Sequence, residues 1–374
     1  MRIREVIKSL DWLMVAPMML LSITSLAMLF SATYATTGLW SGRFGRQLIA
    51  LGIGWVLFIF ISRIPYHSFR RYTWIVYALG MAGLGIVAIT AGIIRGAASR
   101  LALAGFQIQP SEFMKIGIVI ALAYIFSGRR GLNSRSFLFS CVVVGVPVGV
   151  VALEPDLGVG SLMIALWGII LIFLGLPWMA VGGLGLMGIA GISVAWKWIL
   201  LDYQKARLLT FLNPERDPLG AGYNVVQSIV ALGSGRLFGR GLGHGPQSQL
   251  QFLPERHTDF ILASIGEELG FIGITVIIIL YGLLLWRLIE TARLTRDPFG
   301  RIICVGTFAL LSISFLISAG MNMGLLPVTG IPLPLVSYGG SNLLATMVLL
   351  GLVQSVRLHS KWTQKAPSEI SHFI

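Results

Sequence analysis

From Trp12 to Ala32 the chain carries no charged residue, and runs of the same kind recur to its end, divided by short arginine-bearing stretches. Such runs approach the roughly 20 residues that an α-helix needs to cross about 30 Å of hydrocarbon. Inside lipid the backbone must satisfy its own amides and carbonyls, and continuous apolar runs do so as helices rather than strands. With 56% hydrophobic and 11% charged residues, against roughly a quarter charged in soluble domains, the composition excludes a water-soluble fold.

The pattern predicts an all-α polytopic membrane protein with ten transmembrane helices, over 12–32, 46–64, 72–95, 110–127, 136–154, 158–175, 178–200, 259–287, 300–322 and 341–358. The first run is too long for a signal-peptide core and lacks a small-residue cleavage site, so it is expected to remain as an anchor. The whole of 1–374 reads as one membrane domain. An even number of spans places both termini on one side.

Lysine and arginine choose that side, because cytoplasmic loops retain positive charge during insertion. One face collects Arg2, Arg4, Lys8, Arg63, Arg70, Arg71, Arg129, Arg130, Arg135, Arg287, Arg293, Arg296, Arg301, Arg357, Lys361 and Lys365, against only Arg43, Arg46, Arg95 and Arg100 in the short loops opposite. Both termini are therefore expected in the cytoplasm. The net charge of +13 is spread over these clusters and forms no basic arm for nucleic acid. Cys141 and Cys304 lie inside apolar runs and read as packing residues.

By this topology the longest connection, 201–258 between helices 7 and 8, faces outward. It mixes Tyr203, Phe211, Tyr223, Phe238 and Phe252 with its charges, which predicts an ordered loop rather than a linker. Within it, the glycine-rich stretch 233–245 carries Arg236 and Arg240. Exposed amides and guanidinium groups can cradle a diphosphate, and a flexible loop accounts for the glycines equally well.

Carboxylates are expensive near a bilayer, and most of those at span ends fall on the outer side. Glu112 follows Pro110 at a helix start, with Lys115 three residues on and on the same face. The two form either a structural ion pair or part of a substrate site. Asp156, between Pro155 and Gly158, reads first as a cap in a tight turn, with binding or metal coordination as the alternative. Thr258 or Asp259 is expected to cap the helix that begins there, although Glu255, Arg256, His257 and Asp259 together supply more proton-transfer and anion-binding groups than a cap needs. Glu267 and Glu268 fall deeper in the same predicted helix. Finally, 326–342 is apolar but broken by Pro327, Pro332, Pro334, Gly330, Gly339 and Gly340, so it is expected to be a re-entrant segment lining a site, with Ser337 available to a substrate.

These segments resemble the SEDS family (shape, elongation, division and sporulation proteins) over nearly the whole chain: Gln109 to Lys115, Glu154-Pro155-Asp156-Leu157-Gly158, Asn213-Pro214 to Gly222-Tyr223, Pro254 to Gly270, and Leu326 to Ser341. The wording from Pro327 to Pro334 is similar to the elongation branch. The resemblance implies a peptidoglycan glycosyltransferase that polymerises lipid II, the undecaprenyl-diphosphate-linked disaccharide-pentapeptide, beside a class B penicillin-binding protein. It implies that Asp259 is the essential catalytic residue and that Glu112, Lys115 and Asp156 belong to the same outward cavity. One departure is Arg100-Leu101, where the family often has Arg-Trp.

Glycosyl transfer of this kind needs a base for the acceptor hydroxyl and positive charge for the departing diphosphate. Asp259 is the expected base. Arg100, Arg207, Arg236, Arg240 or a divalent cation such as Mg2+ or Mn2+ are the candidates for the diphosphate. A lipid II flippase or another polyprenyl-lipid transporter is the alternative. Polar residues clustered near one face argue against a two-sided pathway, and a secondary transporter usually carries paired broken helices.

Overall fold

In a computed structural model the chain is described over residues 9–37, 42–93, 101–103, 106–128, 132–154, 156–198, 202–213, 221–250, 252–253 and 255–360. In chain order the helices are α1 Trp12–Thr37, α2 Gly42–Arg63, α3 Tyr66–Arg71, α4 Thr73–Ile93, α5 Pro110–Phe126, α6 Ser134–Leu153, α7 Leu157–Phe173 and α8 Trp178–Trp198. They continue as α9 Asp202–Leu212, α10 Ala221–Ser234, α11 Pro246–Gln249, α12 Ile261–Leu294, α13 Pro298–Asn322 and α14 Gly340–Ser360. A two-stranded antiparallel ribbon, β1 Leu101–Leu103 and β2 Phe106–Ile108, precedes α5.

Among the described residues seven helices, α1, α2, α4, α6, α12, α13 and α14, contain segments long and apolar enough to cross a membrane. The expected spans at 110–127 and 158–175 correspond to α5 and α7, of 17 residues each, and in α8 the apolar stretch is Trp178–Gly188. A helix apolar on every side belongs in the centre of a bundle, and α5 is buried along nearly its whole length. Large apolar side chains such as Phe60, Leu79 and Ile89 are exposed on the outer helices, as on a surface that meets acyl chains. Small residues let helices approach closely in such bundles. A Cβ on Gly351 of α14 would meet the Phe58 carbonyl of α2 at 3.1 Å.

The first and last helices are tied at one end of the bundle. Asp11 accepts from Arg287 Nε at 2.6 Å and Nη2 at 2.8 Å, and pairs with Arg357 Nε at 2.8 Å. Arg287 also pairs with Glu290. Arg287 and Arg357, read from sequence as loop charges, are thus consumed in a buried network.

The expected helix over 259–287 departs from a simple span. α12 runs on to Leu294 and is two helices joined at Gly270, whose φ of 68° and ψ of −164° are non-helical. Part of the glycine-rich loop supplies partners at this break. Phe271 and Ile272 donate to the carbonyls of Arg236 and Leu237 at 2.9 and 3.1 Å, while the amides of Arg240 and Gly241 donate to the carbonyls of Glu267 and Glu268, both at 3.0 Å. A Cβ on Gly239 or Gly270 would overlap the opposing backbone, so these glycines are required by close approach. The two carboxylates lie before the break. Glu267 accepts the amides of Gln247 and Ser248 at 2.8 and 2.9 Å, and Glu268 accepts from the Ser31 hydroxyl.

Between α13 and α14 the chain is irregular yet packed inside protein. Leu333, Leu335 and Val336 are buried. The Pro334 carbonyl accepts from the hydroxyl of Tyr281, which is buried well along α12.

Candidate functional site

At the end of the bundle opposite Asp11, a cavity of about 360 Å3 is walled by the first two turns of α2 (Arg43, Arg46, Gln47) and by the turn before α12 (Glu255, His257, Thr258, Asp259). Gly330, Pro332 and residues 338–342 complete it, with Gln107 and Gln109 from the ribbon side.

Asp259 is partly exposed and is held by its backbone. Three successive carbonyls accept hydrogen bonds from other elements. That of His257 takes Tyr338 N at 2.8 Å, that of Thr258 takes the Ser337 hydroxyl at 2.7 Å, and that of Asp259 takes Asn322 Nδ2 at 2.9 Å. The expected cap is corrected here. The N-cap of α12 is Phe260, without a side-chain cap of its own, and the Ala263 amide donates to Asn322 Oδ1 at 2.8 Å. A residue at the end of α13 therefore supplies the acceptor expected of Thr258 or Asp259. No local pattern signals it, since capping motifs look only a few residues ahead.

Glu112 and Lys115 form the anticipated pair, at 2.7 Å and almost fully buried, and Glu112 also accepts from Asn342 Nδ2 at 2.8 Å. Asp156 caps α7 by accepting from Val159 N at 3.1 Å, while its other oxygen accepts from Gln109 Nε2 at 2.9 Å. Asn342 and Gln109 line the cavity, so Glu112 and Asp156 each sit one hydrogen bond behind its wall. Beside Asp156, Glu154 is buried with neither carboxyl oxygen bonded.

Arg43 Nη1 lies 2.9 Å from His257 Nε2. Burial, reinforced by the charges of Arg43 and Arg256, pushes the imidazole down to about 4. His257 is therefore neutral near pH 7, and with Arg43 only able to donate, its proton is assigned to Nδ1. Arg43 and Arg46 were counted from sequence as topology charges alone. Their presence against the charge bias was the available signal.

Other expected residues lie elsewhere or are otherwise engaged. Ser337 is buried, donating to Thr258 and accepting from Leu333 N at 2.9 Å, and does not line the cavity. Arg207, on α9, is exposed and absent from the cavity wall. Arg236 and Arg240 border a separate open depression at 234–240. The amides of Gly239, Arg240 and Gly241 there are committed to the carbonyls of Gly235, Glu267 and Glu268, which removes the proposed amide cradle. Arg100 lies outside the described residues. Among those described, no group of three or more His, Cys, Asp or Glu could hold a metal ion.

Residues 11–362 match the FtsW/RodA/SpoVE family, described as cell cycle protein. The chain is 37% identical over 349 residues to the peptidoglycan glycosyltransferase MrdB of Escherichia coli K12, covering 91% of this chain and 94% of the relative. It is 36% identical to stage V sporulation protein E of Bacillus subtilis, covering 85% and 87%. Among solved structures, a chain of a peptidoglycan synthase complex that coordinates polymerization and crosslinking superposes with a TM-score of 0.80 at 29% identity, covering 94% and 98%. The rod shape determining protein RodA of Thermus thermophilus gives 0.69 at 26%, covering 93% and 96%. Matched over residues 11–362, and 37% identical to a relative over nearly all of both chains, the chain belongs to the FtsW/RodA/SpoVE family.

Proposed function

We propose that this protein is a peptidoglycan glycosyltransferase that polymerises lipid II into glycan strands for cell elongation, with Asp259 as its general base. The observation that carries the reading is a carboxylate, its turn held by three hydrogen bonds accepted by successive backbone carbonyls, in one polar cavity with two arginines. The names of the relatives and their coverage support the activity.

In the proposed step, the acceptor sugar's 4-hydroxyl oxygen bonds to the donor's anomeric carbon as the bond from that carbon to the diphosphate oxygen breaks. The hydroxyl proton passes to Asp259, and the electron pair leaves with undecaprenyl diphosphate. Fixed positive charge near the leaving oxygen stabilises that developing anion. Glu112, Lys115 and Asp156 act from behind the wall, through Asn342 and Gln109.

The reading includes ten spans in a single domain over 1–374, both termini cytoplasmic, the site and the 201–258 loop outside, and 326–342 entering the bundle as a re-entrant segment. A class B penicillin-binding protein is the proposed partner, supported by the likeness to the synthase complex. Cysteines placed at the exposed Leu250 and Ser134, in a background without Cys141 and Cys304, are expected to react with an impermeant reagent at 250 alone. Labelling at 134 alone would move the site to the cytoplasm.

The enzymatic test is lipid II polymerisation by purified wild type and Asp259→Asn of matched thermal stability. Loss of a positioned base costs roughly a hundredfold or more. Full activity in the Asn variant would falsify the assignment.

A further inference from the structure

Arg43 and Arg46 stand one helical turn apart at the start of α2, both on the cavity wall. Cations at a helix N-terminus oppose the macrodipole. Neither makes an ion pair with a carboxylate among the described residues. Positive charge so placed is stabilised by an anion in the cavity.

The contact of Arg43 with His257 narrows what that anion is. An orienting carboxylate would fix the guanidinium equally well but cancel its charge. A buried neutral imidazole fixes it and leaves the charge in place, and Arg43 keeps other N–H donors for a ligand. Side chains three residues apart on a helix have Cβ atoms about 5–6 Å from each other, a separation that lets two guanidinium forks grip adjacent phosphates, each through paired N–H groups.

We propose that Arg43 and Arg46 form the subsite for the diphosphate of a polyprenyl-linked donor, with His257 as the positioning residue for Arg43. This rests on the glycosyltransferase reading and assigns its leaving group to the α2 wall of the cavity that Asp259 also lines. The arginines bind the two phosphates in the ground state, and the bond broken at the anomeric carbon adds negative charge to the phosphate they hold. His257 transfers no proton in this scheme.

The test is equilibrium binding of undecaprenyl diphosphate to the detergent-purified full chain, without turnover. Arg43→Gln and Arg46→Gln are each expected to weaken binding roughly tenfold, the effect of losing a charge-assisted contact. His257→Gln, which keeps an acceptor for Arg43, is expected to bind like wild type, and His257→Glu to weaken binding like Arg43→Gln by neutralising that charge. Arg293→Ala, at the other end of α12, controls for net charge. Undecaprenyl monophosphate and inorganic pyrophosphate as competitors separate the headgroup from the lipid tail. Competition by pyrophosphate and not by the monophosphate supports a diphosphate subsite. Wild-type affinity in stable Arg43→Gln and Arg46→Gln proteins overturns it, even where wild type polymerises lipid II. Arginine-dependent binding by a wild type that cannot polymerise leaves the subsite standing and removes the enzymatic reading.

Discussion

Asn322 Nδ2 donates to the backbone carbonyl of Asp259 at 2.9 Å while its Oδ1 accepts the Ala263 amide at 2.8 Å, so one fully buried side chain both caps α12 and fixes the turn that presents the proposed base. Its own carbonyl accepts from the Ser228 hydroxyl of α10 at 2.7 Å, which joins α10 to the same point.

Asn322→Ala is expected to lower stability by about 1–2 kcal/mol through the lost cap. A displaced catalytic carboxylate is a separate effect, since a shift on the order of 1 Å can cost roughly a hundredfold in rate. The expected result, at a temperature where the variant stays folded, is a kcat lowered at least tenfold, roughly, with KM for lipid II little changed. A lower Tm with unchanged kcat would leave Asn322 as a cap only.

Glu112 and Lys115 are expected to behave as a unit. Removing one member of a buried ion pair costs about 3–5 kcal/mol because the other charge is left unpaired, and Asn342 cannot neutralise either. Glu112→Gln and Lys115→Met should each destabilise strongly, and the double variant should lose less than the sum. Additive losses in thermal or denaturant unfolding would show that the 2.7 Å contact carries no coupling.

What could be read from sequence follows the range of the interactions. Apolar runs locate helices because spanning depends on local length, and Glu112–Lys115 and the Asp156 cap were legible because their partners lie three residues away. Arg43 meets His257 across 214 positions, and Asn322 reaches Asp259 across 63. No spacing rule connects such pairs. Gly270 was hidden for a related reason. A glycine in an apolar run is compatible with a helix, and here the docking of Arg236 and Leu237 supplies partners for the amides at the break. Ser337 illustrates the opposite error, since a hydroxyl beside a predicted site suggested a substrate contact while both its bonds are made within the protein.

Gly239→Ala is expected to unfold the break region, because the new methyl group would occupy the space of the Glu268 carbonyl, and φ at Gly239 is 79°. Loss of protease resistance confined to the 234–250 loop is the expected readout, preceding global unfolding. A variant as resistant as wild type would show that the loop can shift without cost.

Glu154 follows the last turn of α6, and its carboxyl is buried with neither oxygen hydrogen-bonded. A charge taken out of water without a partner is costly, and a neutral amide is far cheaper to bury. Glu154→Gln replaces the carboxyl with an amide of nearly the same shape, so it removes the charge while keeping the packing at the end of α6. The expected outcome is a variant more stable than wild type at pH 8, where a carboxyl in the unfolded chain is ionised. Thermal unfolding of both proteins in one detergent measures it directly. Equal stability would mean that Glu154 is solvated or paired in the folded protein, and a wild type more stable than the variant would mean that its carboxyl is the group the fold selects.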